Sequence, residues 1–145
     1  MRALFDTSAL TAALVKPHPA HSRAFPWLKK AQAAEVVMIV SSHTLAELYA
    51  VLTTLPVSPR ITPDMALRLI QENVFAGAEI QSLSSADYKT VIKNLKDEGL
   101  SGGIIYDALI AFAAVKAKAD ILLTLNGADF KRPGLVHQAL KVVVP

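Results

Sequence analysis

The sequence predicts an α/β domain built on a mostly parallel sheet of about five strands with helices on both faces. Three observations predict it. Short apolar runs, several of them β-branched, alternate with longer stretches of helical periodicity. Gly and Pro fall between these stretches, at Pro17 and Pro19, Pro56 to Pro63, Gly99 to Gly103 and Pro133-Gly134, so they punctuate elements. No repeat, low-complexity segment or long linker divides the chain, so residues 1–145 are expected to form one domain.

The elements follow in order. Arg2–Asp6 reads as a strand, followed by a short helix from Thr7 to about Val15. A second helix, roughly Ala20 to Ala34, carries Phe25, Trp27 and Leu28. Val36–Ser41 (VVMIVS) is a β-branched strand, and Ser42 can cap a helix to Leu55 in which Leu45, Leu48, Tyr49, Leu52 and Leu55 recur at helical spacing, with Leu45, Leu48, Tyr49 and Leu52 defining its buried face. Thr62-Pro63-Asp64 starts another helix, with Pro in its first turn, running to about Val74. Ala78–Leu83 is a short strand, Ser84 or Ser85 opens a polar helix to Glu98, and Ile104–Ala117 is a very apolar helix. Ile121–Thr124 and Lys141–Val144 complete the strands.

The bulk composition narrows the function. Of 145 residues, 52% are hydrophobic and 19% charged, which excludes a disordered chain. No apolar run approaches the ~18 residues of a membrane span, and Asp6 interrupts the stretch that an export signal would keep apolar. The chain has no cysteine, which removes disulfides, thiolate nucleophiles and Cys-type zinc sites and fits a cytoplasmic location. The formal charge of +3 is compatible with a polyanionic partner without demanding one.

The acids are more informative. In a parallel α/β sheet, ligands bind at the carboxyl ends of the strands. Asp6 ends the first strand, and Glu47 lies early in the helix after the second. Asp107 lies one turn into the apolar helix, and Asp129 follows the fourth strand by a short loop. All four fall on that edge. Asp107 is the only charged residue between Ile104 and Val115, and a buried carboxylate is costly unless something compensates it. Each acid alone has a structural explanation: Asp6 can cap the helix at Thr7, Glu47 can face water beside the leucine stripe, Asp107 can offset a helix dipole, and Asp129 can close a turn. Together they form a carboxylate cluster, which a hard divalent cation such as Mg²⁺ or Mn²⁺ neutralises. Such ions activate water and stabilise phosphoryl charge, so a phosphodiester is the matching substrate.

With DTSAL at 6–10, TLAELYAVL at 44–52, YDALIAFAA at 106–114 and LLTLNGADF at 122–130, the chain resembles the PIN domains of VapC-like toxins over essentially its whole length. The resemblance implies a three-layer domain with strand order 3-2-1-4-5 and a metal-dependent endoribonuclease, the toxin of a toxin–antitoxin pair. It matches Asp6, Glu47 and Asp107 to the main metal-site acids and Asp129 to a more variable fourth. Thr7 and Thr124 match hydroxyl residues that orient the acids or a phosphate. Many relatives carry an acid where this chain has Asn126, which leaves that corner a neutral group for a carboxylate, water or phosphate. The family further implies an RNA substrate, a homodimer, and an antitoxin whose C-terminal segment covers the acidic pocket.

Other classes fit less well. A dehalogenase-like phosphatase needs a second Asp where Ser8 stands, and a phosphoacceptor domain needs an Asp after the third strand, where the chain reads Leu83-Ser84-Ser85. Gly102-Gly103 lacks the Lys-Ser/Thr that completes a phosphate loop. His18, His21, His43 and His137 show no ligand spacing, though His43 stands close enough to Glu47 to touch substrate. The alternative of another class is a catalytically inactive PIN-like module that binds RNA or protein. Lys and Arg at 29–30, 89–96, 116–118 and 131–132 are candidates to grip flanking phosphates, with Lys131 and Arg132 nearest the acids. The apolar residues Phe25, Trp27, Leu28, Leu67, Leu69, Ile70 and Val74 are candidates for a dimer face.

Overall fold

A computed structural model describes residues 1–132, 134–135 and 140–145; His137 and Pro133, singled out above, lie outside the described residues. The strands are β1 (Arg2–Phe5), β2 (Val37–Ser41), β3 (Glu79–Gln81), β4 (Ile121–Leu123) and β5 (Lys141–Val143). They form one parallel sheet in the order β3-β2-β1-β4-β5, as expected. The helices are α1 (Thr7–Leu14), α2 (His21–Gln32), α3 (Ser42–Thr54), α4 (Pro63–Ile70), α5 (Ser85–Asp97) and α6 (Ile104–Lys116).

Alternation within the strands makes the three layers. Ala3, Phe5, Met38, Val40, Ile121 and Leu123 pack with α1 to α4 on one face. Leu4, Ile39 and Leu122 pack with α5 and α6 on the other. The central strands are therefore apolar at consecutive positions, because both faces are covered. The edge strand β3 shows Glu79 and Ile80 to solvent.

Local chemistry sets the helix starts. Asp6 caps α1, Ser41 caps α3 by accepting from the Thr44 amide, Thr62 caps α4 ahead of Pro63, and Ser84 and Asp87 form a reciprocal capping box on α5. The α3 cap is thus Ser41, one residue before the expected Ser42. The segment expected to be one helix to Val74 is α4 followed by a π-helical turn, Gln71–Phe75. Tyr49, placed above among the buried leucines, is exposed, whereas Leu48 and Leu52 are fully buried. Of the proposed dimer residues, Leu28, Ile70 and Val74 belong to the core, while Phe25 and Leu67 are exposed.

Candidate active site

The carboxyl ends of β1 and β4 build the centre of the site. Asp6 follows β1 and caps α1, so capping and site placement are one arrangement. Its Oδ1 accepts from the Thr7 amide at 2.7 Å; its Oδ2 accepts from Ser8 Oγ at 2.9 Å and Thr124 Oγ1 at 2.8 Å. Three donors fix the carboxylate of a buried side chain. Thr124, fully buried directly after β4, also accepts from the Asn126 amide at 3.1 Å. Ser8 in turn accepts from the Leu125 amide at 2.9 Å, tying α1 to the loop after β4.

A cavity of about 360 Å³ lies here. Asp6, Glu47 and Asp107 line it together, from the β1 end, α3 and α6 respectively, and Thr7, Ser8 and Asn126 line it too. Asp129 begins a short 3-10 turn, Asp129–Lys131, and is exposed; it does not line the cavity, but its charge acts on Asp107. The loop that carries it closes at Gly127 on Val144, the residue after β5, where a Cβ would come 2.6 Å from Val144 Cγ2.

The electrostatics are unbalanced. Burial, first of all, and then the charges of Asp6, Asp129 and Glu47 push the Asp107 carboxyl from 3.8 up to about 6, with Arg132 opposing. The amino end of α6 has no side-chain cap, and Asp107 lies in its first turn. Glu47 Oε2 lies 3.2 Å from His43 Nε2, and the His43 ring stacks on Tyr106.

The residues fit a hard cation in kind. The donors are carboxylate, hydroxyl and amide oxygens. Among the described residues, Thr7 Oγ1 and Thr11 Oγ1 are buried without a hydrogen-bond partner, and both residues line the cavity. Buried hydroxyls left unpaired cost about 1–3 kcal/mol each, so a polar ligand in the cavity would relieve them. Among the described residues no three acidic or imidazole side chains stand close enough to grasp one ion.

Sequence reasoning missed Ser8, Thr11 and Tyr106. Ser8 entered only as the missing second Asp of a phosphatase, although a hydroxyl two residues after a capping Asp is placed to bond it. Of the basic positions, Lys116 donates to Asp87 and Lys96 to Asp97, while Arg132 acts on the site.

Comparison with known proteins agrees with this architecture. A family model described as PIN domain matches residues 3–135. VapC27, a ribonuclease of Mycobacterium tuberculosis, is 34% identical over 116 residues, 80% of this chain and 79% of that protein. Among solved structures, VapC20 of the same organism, described as a sarcin–ricin loop cleaving toxin, has a TM-score of 0.67 at 16% identity, over 88% of this chain and 92% of that one. A chain of VapBC2 from Rickettsia felis, solved with a promoter DNA fragment, has a TM-score of 0.64 at 24% identity and covers 99% of each chain. At these identities the solved structures speak to the fold, and the family model and VapC27 speak to descent. The chain belongs to the PIN domain family, among the VapC ribonucleases.

Proposed function

We propose that this chain is an endoribonuclease that hydrolyses RNA phosphodiester bonds with Mg²⁺ or Mn²⁺, acting as the toxin of a toxin–antitoxin pair. The observation that carries the reading is Asp107, which shares a cavity with Asp6 and Glu47 and is held by burial and by three neighbouring acids against its own ionisation. A fold spends stability on such a cluster to little structural end.

Asp6, Glu47 and Asp107 would hold the ion, with Asp129 adding charge from the rim. Bound there, a divalent cation supplies an activated water and offsets charge on the phosphoryl group. Thr7, Ser8 and Thr124 have a division of labour. Ser8 and Thr124 hold the Asp6 carboxylate in one rotamer, while the Thr7 hydroxyl is free to bond water or phosphate. Asn126 offers a neutral amide beside them. Arg132, with Lys131, would take a flanking phosphate.

The VapBC2 neighbour supports a cognate antitoxin as partner. A second copy of the chain would cover Met65 and Leu67 on α4 and Phe75 after it, all exposed; a monomer in micromolar light scattering without antitoxin would remove that claim. The central test is single-turnover cleavage of a structured RNA with Mg²⁺, with Mn²⁺ and with EDTA. Loss of cleavage in EDTA and its return with metal are expected, and full activity in EDTA would overturn the mechanism.

A further inference from the structure

A second cavity, of about 260 Å³, opens at the carboxyl ends of β2 and β3. Ser41, Ser42, His43, Gln81, Ser82 and Tyr88 line it. Ser42 Oγ and Ser82 Oγ are 2.8 Å apart, so its walls from α3 and from the segment after β3 are joined. The size is below the roughly 300 Å³ at which drug-sized sites begin. It suits one ring system.

His43 stands between this cavity and the acidic one. It lines the second cavity, its Nε2 lies 3.2 Å from Glu47 Oε2 in the first, and it stacks on Tyr106 with ring centroids 5.3 Å and planes 8° apart. Tyr106 lines the acidic pocket and is 55% exposed. The pair is thus a partition of two aromatic rings between a carboxylate site and a neutral one.

The chemistry of the second cavity selects its occupant. Among the described residues, none that lines it is Lys, Arg, Asp or Glu. A phosphate would find no fixed cation there. A nucleobase would find the aromatic side chains of His43 and Tyr88, with hydroxyl and amide groups able both to donate and to accept. Unstacked bases of single-stranded RNA are recognised by this combination of stacking and edge hydrogen bonds.

We propose that this cavity is a nucleobase subsite, and the proposal rests on the ribonuclease reading above. The base of a nucleotide flanking the scissile phosphate enters it and extends the Tyr106–His43 stack by one ring. His43 and Tyr88 supply affinity, and Gln81, whose amide carries both a donor and an acceptor, reads the base edge. Tyr106 is a positioning residue that backs His43.

The test uses binding, so it does not depend on turnover. Short single-stranded RNAs carrying 2-aminopurine at successive positions are titrated against the Asp6→Asn protein, whose cleavage is expected to be at least ~100-fold slower than that of the wild type. Quenching at one position is expected; His43→Ala should abolish it and His43→Phe, which keeps a ring, should retain it. Tyr88→Ala should weaken binding about tenfold or more, the size of one lost stacking contact. Gln81→Ala should narrow the affinity differences among the four bases at that position. Quenching that survives His43→Ala, or affinities and base preferences unchanged in Tyr88→Ala and Gln81→Ala, would overturn the subsite. So would RNA that fails to bind at all. Cleavage by the wild-type protein judges the nuclease reading separately.

Discussion

The two edges of the sheet use the same charged groups to opposite ends. At the amino edge, the Arg2 guanidinium donates to both oxygens of Glu79, at 3.2 and 2.6 Å, and to the Ala117 carbonyl, while the Arg2 amide donates to Asp120 at 2.7 Å. At the carboxyl edge Asp6, Glu47 and Asp107 line a common cavity, and among the described residues the one cation acting on Asp107 is Arg132. The Arg2 hydrogen bond and charge hold the Glu79 carboxyl below its usual range, and burial and like charge push that of Asp107 up to about 6. One edge is settled within the fold. At the other, Asp107 stands among like charges that push against its ionisation, and that contrast marks the acids proposed as ligands better than exposure does.

The largest effect expected from breaking the carboxyl edge is on the reaction. Asp6→Asn or Asp107→Asn keeps the side-chain shape and removes one charge from the proposed ligand set. Each should slow single-turnover RNA cleavage by at least ~100-fold, since about 1.36 kcal/mol corresponds to tenfold. An Asp6→Asn protein as fast as the wild type would end the metal reading. Asp129→Asn should cost less, about tenfold or below, because this acid stands outside the cavity and acts on it through charge. An effect equal to that of Asp107→Asn would move Asp129 into the ligand set.

The contrast between the edges was only half legible in the sequence. Asp6 and Asp107 stood out because each interrupts an apolar segment, and the strand–helix alternation gave the α/β class. The strand order needed the family resemblance as well. Ser8 was not legible, because its meaning depends on Thr124, 116 residues away, with which it shares Asp6. The Arg2–Glu79 pair spans 77 residues and joins strands that are not neighbours in the sheet. Tyr49 was misread for a related reason. Helical spacing shows that residues share a face, but only the packed neighbours decide how wide the buried stripe is. Leu48 and Leu52 fill it and Tyr49 falls outside.

A smaller effect, on stability without metal, has a definite sign. Asp107 binds its proton more tightly in the folded state, with a pKa raised from 3.8 to about 6. Between those values folding takes up protons, so this group lowers stability as pH rises through the window, and the penalty is complete above it. This is the reverse of the usual carboxylate. Asp107→Asn has no such term. In EDTA, the stability of the variant relative to wild type should therefore be constant below about pH 3.8, climb through the window, and level off above about pH 6. Urea titrations at several pH values measure it. A difference that does not vary with pH would mean that the acids do not strain the fold.

The smallest effect belongs to the amino edge. Glu79→Gln keeps the shape of the side chain but removes the charge facing Arg2, at a pair in which Glu79 is exposed and Arg2 half-buried. Exposed pairs contribute little and are screened by salt. The urea midpoint should fall slightly at low ionic strength, and the drop should shrink as salt is added. Its pH dependence should run opposite to that of Asp107. The folded-state pKa of Glu79 is lowered, so its contribution is present above the unfolded value and disappears as pH falls through the folded one. Nothing in this pair reaches the cavity at the other end of the strands, so single-turnover cleavage and RNA affinity should stay at wild-type values. A Glu79→Gln protein that cut RNA more slowly while remaining folded would show that the edges are coupled through β1, which carries Arg2 at one end and leads into Asp6 at the other.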